Sequence, residues 1–84
     1  MESQFLLMRL SFAQWFKLKR EAADLSQADV AARLGVKPQT ISNWEKERST
    51  PSLDPDQMLA LCSLLEVDLN SMAKAFRGEL EVND

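Results

Sequence analysis

The chain has no histidine and no tyrosine, and only one cysteine and two glycines among its 84 residues. Without histidine, most metal sites and the commonest general base are excluded. No nucleophile–base constellation, phosphate-cradling glycine loop or paired-carboxylate arrangement remains to suggest an enzyme. A single cysteine excludes an internal disulfide. Cys62 lies in the apolar run Met58-Leu-Ala-Leu-Cys-Ser-Leu-Leu65 and reads as a small buried hydrophobe rather than a reactive thiol. No run approaches the roughly 20 apolar residues of a membrane span. Phe5-Leu-Leu-Met8 is too short for a signal-peptide core, and no basic side chain precedes it. A soluble, cytoplasmic protein is expected, with no metal, no cofactor and no small-molecule ligand. A chain of this length makes one small domain around a single core, without room for a separate dimerisation or sensing domain.

Basic residues are also in deficit, ten against thirteen acidic ones, for a net charge of −3. Their placement matters more than their number. Residues 1–50 hold eight Lys/Arg and six Asp/Glu, a net +2, whereas residues 51–84 hold two and seven, a net −5. A nucleic-acid-binding face needs local positive potential rather than a positive average.

Five helical segments can be read, and no strand. The first runs from about Ser11 to Ala23, with Phe12, Trp15 and Phe16 marking a face that Lys19 and Ala23 continue less regularly. Ser11 is its N-cap, with Gln14 a fair capping-box partner. Trp15 and Phe16 are adjacent and cannot point the same way, so one is expected inside and the other against the N-terminal segment or a partner chain. Ser26, with Asp29 three positions on, caps a second helix of about 27–34 that turns Ala28, Val30, Ala31 and Leu34 inward. Gly35 ends it. The third helix, about 38–47, opens with Pro38 at its first position and points Ile41 and Trp44 to the core. Asp54-Pro55 starts a fourth helix through Leu65. Asp68 caps a fifth, from Leu69 to about Arg77, stopped by Gly78.

The folded part is then 11–78, between an apolar extension at 1–10 and an acidic tail at 79–84 that should fray. Phe5, Leu6, Leu7, Met8 and Leu10 are expected to pack on the domain or to form part of a dimer contact. Leu80 and Val82 carry the same alternatives.

The segment Ser26–Glu45 therefore reads as two short helices joined by a tight glycine turn, a helix-turn-helix. In that motif the second helix enters the major groove with its first residues at base edges. Gln39 can make a paired contact with adenine, and Asn43, one turn later, can do the same. Thr40 and Ser42 can donate to phosphates or touch a thymine methyl. Lys37, Lys46 and Arg48 flank the helix, placed for backbone phosphates. Gln27, in the first turn of the second helix, can face a phosphate with its amide and the helix dipole together. A plain solvated face is the alternative for Gln39 and Asn43.

Three stretches carry a family resemblance: Leu25-Ser-Gln-Ala-Asp-Val-Ala-Ala-Arg-Leu-Gly-Val36, Pro38-Gln-Thr-Ile-Ser-Asn-Trp-Glu45 and Thr50-Pro-Ser-Leu53. The chain resembles the Cro/C1 repressor family, also called the xenobiotic-response-element-type helix-turn-helix family, from about Phe12 to Phe76. The resemblance implies an all-α, compact five-helix bundle of the lambda-repressor-like type, in which helices 2 and 3 form the motif. It implies binding to double-stranded operator DNA as a homodimer. It places Gln27 on the DNA backbone, makes Gln39 and Asn43 the base readers, and gives Thr40 and Lys46 backbone or flanking contacts. It also implies an ion pair between Arg20 and Glu45, which would neutralise a carboxylate next to the DNA face. Two positions depart from the family pattern: Lys46-Glu47 stands where many relatives have Asn-Gly, and Pro38 offers no amide.

The expected function is sequence-specific DNA binding by a transcriptional regulator, most simply a repressor reading a palindromic operator. The alternative is a protein–protein adaptor that keeps the fold without DNA binding, a reading that the acidic pI of about 4.9 favours.

Overall fold

The computed structural model describes residues 7–83, with side chains over 9–80. Five helices follow one another: α1 (Phe12–Ala22), α2 (Gln27–Leu34), α3 (Pro38–Glu45), α4 (Pro55–Leu65) and α5 (Leu69–Phe76). They are framed by two short strands, β1 (Leu7–Arg9) and β2 (Glu81–Asn83). None of the helices is long and apolar enough to cross a membrane.

Local chemistry sets the helix starts. Ser11, Ser26 and Asp54 each accept the amide three residues on, and Gln14, Asp29 and Gln57 each reach back to the cap's own N–H, giving three complete capping boxes. Asp68 caps α5 through the Ser71 amide. Pro38 and Pro55 stand at first-turn positions, where a missing N–H breaks no helical bond. Helix ends share one device, in that each chain exit passes through a left-handed residue: Asp24, Gly35, Glu47, Glu66 and Gly78. At all five the following amide reaches back five residues: Leu25 to Arg20, Val36 to Ala31, Arg48 to Asn43, Val67 to Cys62 and Glu79 to Lys74. This is the Schellman arrangement. Only two of the five positions are glycine, so Asp24, Glu47 and Glu66 hold a conformation that disfavours a side chain.

Helix α3 accordingly ends at Glu45, two residues short of the expected 47, because Glu47 turns left-handed at φ 60°. The inward face of α2 is Val30, Ala31 and Leu34. Ala28 is exposed, contrary to expectation, since it lies well over 90° around the helix from the centre of that face.

The core joins Phe16, Val30, Ile41, Leu61 and Met72, all fully buried, with Trp15, Trp44, Leu34 and Leu65. Trp15 and Phe16 are both buried, so neither is left for a partner chain. Helix α1 lies against α3, α4 and α5 and is covered on more than one side. Phe12 stacks on Phe76 at 4.4 Å and on Phe16 at 5.6 Å, and Phe16 meets Trp44 edge-on at 5.8 Å. These rings run from α5 through α1 to α3 and set the tilt of α3.

The bundle carries one addition to the expected all-α architecture. Strands β1 and β2 pair antiparallel, with Leu7 opposite Asn83, Met8 opposite Val82 and Arg9 opposite Glu81. Leu10 N–H extends the pairing to the Leu80 carbonyl at 2.9 Å, and Leu10 and Leu80 both pack on the core. Three-residue strands are too short for alternation to show in the sequence, and their partners lie more than seventy residues apart. The tail expected to fray is thus paired up to Asn83. The expected packing of Phe5 and Leu6, and of the Leu7, Met8 and Val82 side chains, lies outside the described residues.

Cys62 is half-buried rather than enclosed. With Met58, Leu59, Val67 and Leu69 it lines an open apolar groove of about 600 Å³ between α4 and α5. Burial, and then the charge of Asp68, push its thiol up.

Candidate nucleic-acid interface

Helices α2 and α3 make the most extensive contact between helices in the bundle, and the Gly35 turn sets their angle. At φ 71° Gly35 holds a left-handed turn, and nothing lies within 4 Å of where a Cβ would stand, so the backbone alone demands glycine here. Ile41 and Trp44 fasten the inner side of α3. Its outer side carries Gln39, exposed, with Thr40, Ser42 and Asn43 half-exposed. Lys37 is the N-cap and makes no side-chain capping bond. Lys46 is the C-cap, and Arg48 follows one residue beyond Glu47. All three cations are exposed.

Gln39 and Asn43 are one helical turn apart, and Gln39 Nε2 donates to Asn43 Oδ1 at 2.9 Å. The two amides expected to read bases are thus joined to each other.

Beneath this face lies the expected ion pair. Arg20 Nε donates to Glu45 Oε2 at 2.6 Å and Nη2 to Oε1 at 3.1 Å, a two-pronged contact between α1 and α3. Arg20 Nη1 donates to the Leu25 carbonyl at 2.7 Å, which binds the chain leading into α2 to the same guanidinium. Gln27 Nε2 donates to Glu45 Oε1 at 3.0 Å. The two charged side chains are 10% and 5% exposed. Burial pushes the Glu45 carboxyl up. The hydrogen bonds from Arg20 and Gln27, with the charges of Arg20 and Lys17, outweigh it and hold the carboxyl below its usual range. The Glu45 hydrogen bond, working against burial, raises the Arg20 guanidinium. A carboxylate next to the recognition face is thereby neutralised and turned inward.

Gln27, expected to meet the DNA backbone, is half-buried, with one Nε2 hydrogen given to Glu45. The second hydrogen and the backbone amide at the start of α2 stay available to an anion. Two residues absent from the sequence-level site lie beside it, and the first of them braces it. Gln57 spends Oε1 on the Asp54 amide and Nε2 on the Leu34 carbonyl at 3.0 Å, so the first turn of α4 braces the end of α2. The Asp-x-x-Gln spacing at the start of α4 was the signal for its capping half. Glu47 accepts from the Ser11 hydroxyl at 3.2 Å, which draws its carboxylate toward the start of α1.

Comparison with known proteins bears on this arrangement. A family model described as helix-turn-helix matches residues 16–72. No curated protein matches the chain in sequence. Among solved structures, the P22 c2 repressor protein in complex with a synthetic operator is 23% identical, with a TM-score of 0.64, covering 79% of this chain and 97% of that one. The DNA-binding domain of the P22 c2 repressor in solution is 22% identical, with a TM-score of 0.65, covering 80% and 86%. At these identities the likeness establishes the fold. Cobalt(II) HppE in complex with substrate is 26% identical, with a TM-score of 0.59 over 73% of this chain but only 33% of that one. With residues 16–72 matched and the two helices, glycine turn and buried brace all in place, this chain belongs to the helix-turn-helix family.

Proposed function

We propose that this helix-turn-helix protein, a DNA-binding transcription regulator, represses its target by lying across a two-fold symmetric operator as a homodimer, with α3 of each copy in the major groove. The observation that carries the proposal is the outer face of α3. It combines two solvent-facing amides, three flanking cations at Lys37, Lys46 and Arg48, and a neighbouring carboxylate already paired inside the fold. An α-helix fits the width of the B-DNA major groove, and amides there meet base edges. Lys37, Ser42, Lys46, Arg48 and the start of α2 at Gln27 serve phosphates, while Gln39, Asn43 and Thr40 serve bases. A single α3 spans too few base pairs for genomic selectivity, which calls for two copies on half-sites about one helical turn apart. The P22 c2 repressor bound to a synthetic operator has the same fold and lends the proposal support.

The test is selection of bound fragments from genomic DNA by the full chain. A palindromic motif with half-sites about one turn apart is expected. Gln39→Ala should flatten one position of each half-site, at a cost of roughly 1–3 kcal/mol for the preferred base. Recovery of fragments with no shared motif would reject sequence-specific reading. A motif unchanged by Gln39→Ala would reject α3 as the reader.

A further inference from the structure

Several apolar side chains that the sequence leaves without an assigned partner are spent inside the fold. Trp15 and Phe16 are buried, and Leu10 and Leu80 pack on the core. The groove between α4 and α5 is different. Met58, Leu59, Val67 and Leu69 wall about 600 Å³, a volume in the range of small-molecule sites. Leu59 and Leu69 are 68% and 63% exposed, two of the three exposed large apolar side chains among the described residues.

The charge of the groove is of one sign. Glu66 and Asp68, in the three-residue connection from α4 to α5, line it, and no Lys or Arg does. The Glu66 side chain makes no hydrogen bond or ion pair among the described residues. Lys19 of α1 shares a separate hollow with it without pairing. The Ser71 amide holds the Asp68 carboxyl below its usual range. Of the cations on this side of the chain, Lys74 lies five residues past Leu69, about 140° around α5, and Arg77 is tied to Glu79 at 2.9 and 3.0 Å. The negative field reaches inside, since burial and then Asp68 raise the Cys62 thiol.

The groove is also polarised along its length. Met58 and Glu66 are eight residues apart, about 12 Å of helical rise, with apolar walls at one end and carboxylates at the other. We infer that this groove binds a small organic cation, its apolar body along Met58 and Leu59 and its ammonium head at Glu66 and Asp68. A second copy of the chain fits less well, because a two-fold contact sets the same patch against itself, carboxylates facing carboxylates. The inference departs from the expectation of no small-molecule ligand and stands apart from how α3 meets DNA. The site lies on the helix whose first turn braces α2, through Gln57 and the Leu34 carbonyl.

The test uses the full chain with methyl-labelled methionine, at low salt and neutral pH. Its probes are three compounds of similar shape: 4-phenylbutylammonium, 4-phenylbutanol and 4-phenylbutyrate. The Met58 methyl reports on the groove, and the Met72 methyl, fully buried in the core, is the internal control. The Met58 resonance should shift to saturation. The cation should bind about fivefold or more tighter than the alcohol, and the carboxylate most weakly. Glu66→Gln with Asp68→Asn, which keeps the cap of α5, should bring the three affinities within about twofold of one another. Leu59→Ser should weaken all three. Each variant is checked for an unchanged melting transition.

The inference is overturned if no probe saturates the Met58 shift, or if wild type binds the three alike. It fails equally if the cation preference survives the neutralised pair, or if Met72 moves as Met58 does, which marks entry into the core. Sedimentation showing a dimer that Leu59→Ser dissociates would also overturn it, because the groove is then covered by a second copy.

Discussion

Glu45→Ala removes the carboxylate that receives three of the hydrogen bonds under the recognition helix. Arg20 loses its partners at 2.6 and 3.1 Å and keeps only the Leu25 carbonyl and a distant Glu21 carboxylate at 4.0 Å. At 10% exposure the guanidinium cannot be rehydrated without opening the contact between α1 and α3. Leaving a buried charge without its partner costs about 3–5 kcal/mol. Domains hold about 0.05–0.15 kcal/mol per residue, so a chain of 84 residues has roughly 4–13 kcal/mol to lose. The variant therefore surrenders about a quarter of its stability at the least, and on the smaller totals it does not fold. At about 4–8 °C per kcal/mol, the melting midpoint should fall by at least about 12 °C. Urea unfolding followed by far-ultraviolet circular dichroism measures the loss directly. Arg20→Met with Glu45→Leu, which removes both charges and keeps the volume, should recover most of it. A loss under about 1 kcal/mol for Glu45→Ala would refute the reasoning, since that is the value of a solvated surface pair.

Four further outcomes are expected. Because Glu45 titrates below its unfolded value, its carboxylate favours the folded state above the unfolded carboxyl pKa near 4.3. That advantage disappears as pH falls through the folded value, so the stability gap between wild type and Glu45→Gln should close below about pH 4. Glu47→Gly relieves a left-handed side chain at φ 60° and should add about 0.5–1 kcal/mol to stability. The same change should tighten binding to all duplexes alike, because a carboxylate between Lys46 and Arg48 is gone. Gln57→Leu breaks both the capping box and the bond to the Leu34 carbonyl, and should cost about 1–2 kcal/mol in denaturant unfolding. Lys46→Ala should leave the selected motif unchanged while lowering the salt dependence of binding by about one phosphate's worth of log–log slope.

The parts legible in the sequence are those governed by local chemistry. Ser11, Ser26, Asp54 and Asp68 each announce a helix through a side chain acting three residues away, and Pro38 and Pro55 mark first turns. The turn at Gly35 was readable because only glycine takes a positive φ at no cost. Non-local features were not readable from pattern alone. Arg20 and Glu45 are 25 residues apart, and only the family resemblance joined them. Trp15 and Phe16 both bury because three other helices surround α1, and a single-helix face pattern does not reveal that. The left-handed exits at Asp24, Glu47 and Glu66 are imposed on residues that do not advertise them. For the site, residue type gave two amides of equal standing. Their mutual hydrogen bond, which joins the two amides one turn apart, was not visible in residue type.

The central claim is that the face of α3, with Lys37, Lys46 and Arg48 around it, meets the phosphates of double-stranded DNA despite a net charge of −3. Titrating salt against binding to a random duplex tests it most directly. Each neutralised phosphate contributes about 0.9 to the slope of log affinity against log salt, so a slope of roughly three or more is expected. Absence of binding even at low salt, or an affinity indifferent to salt, would contradict it.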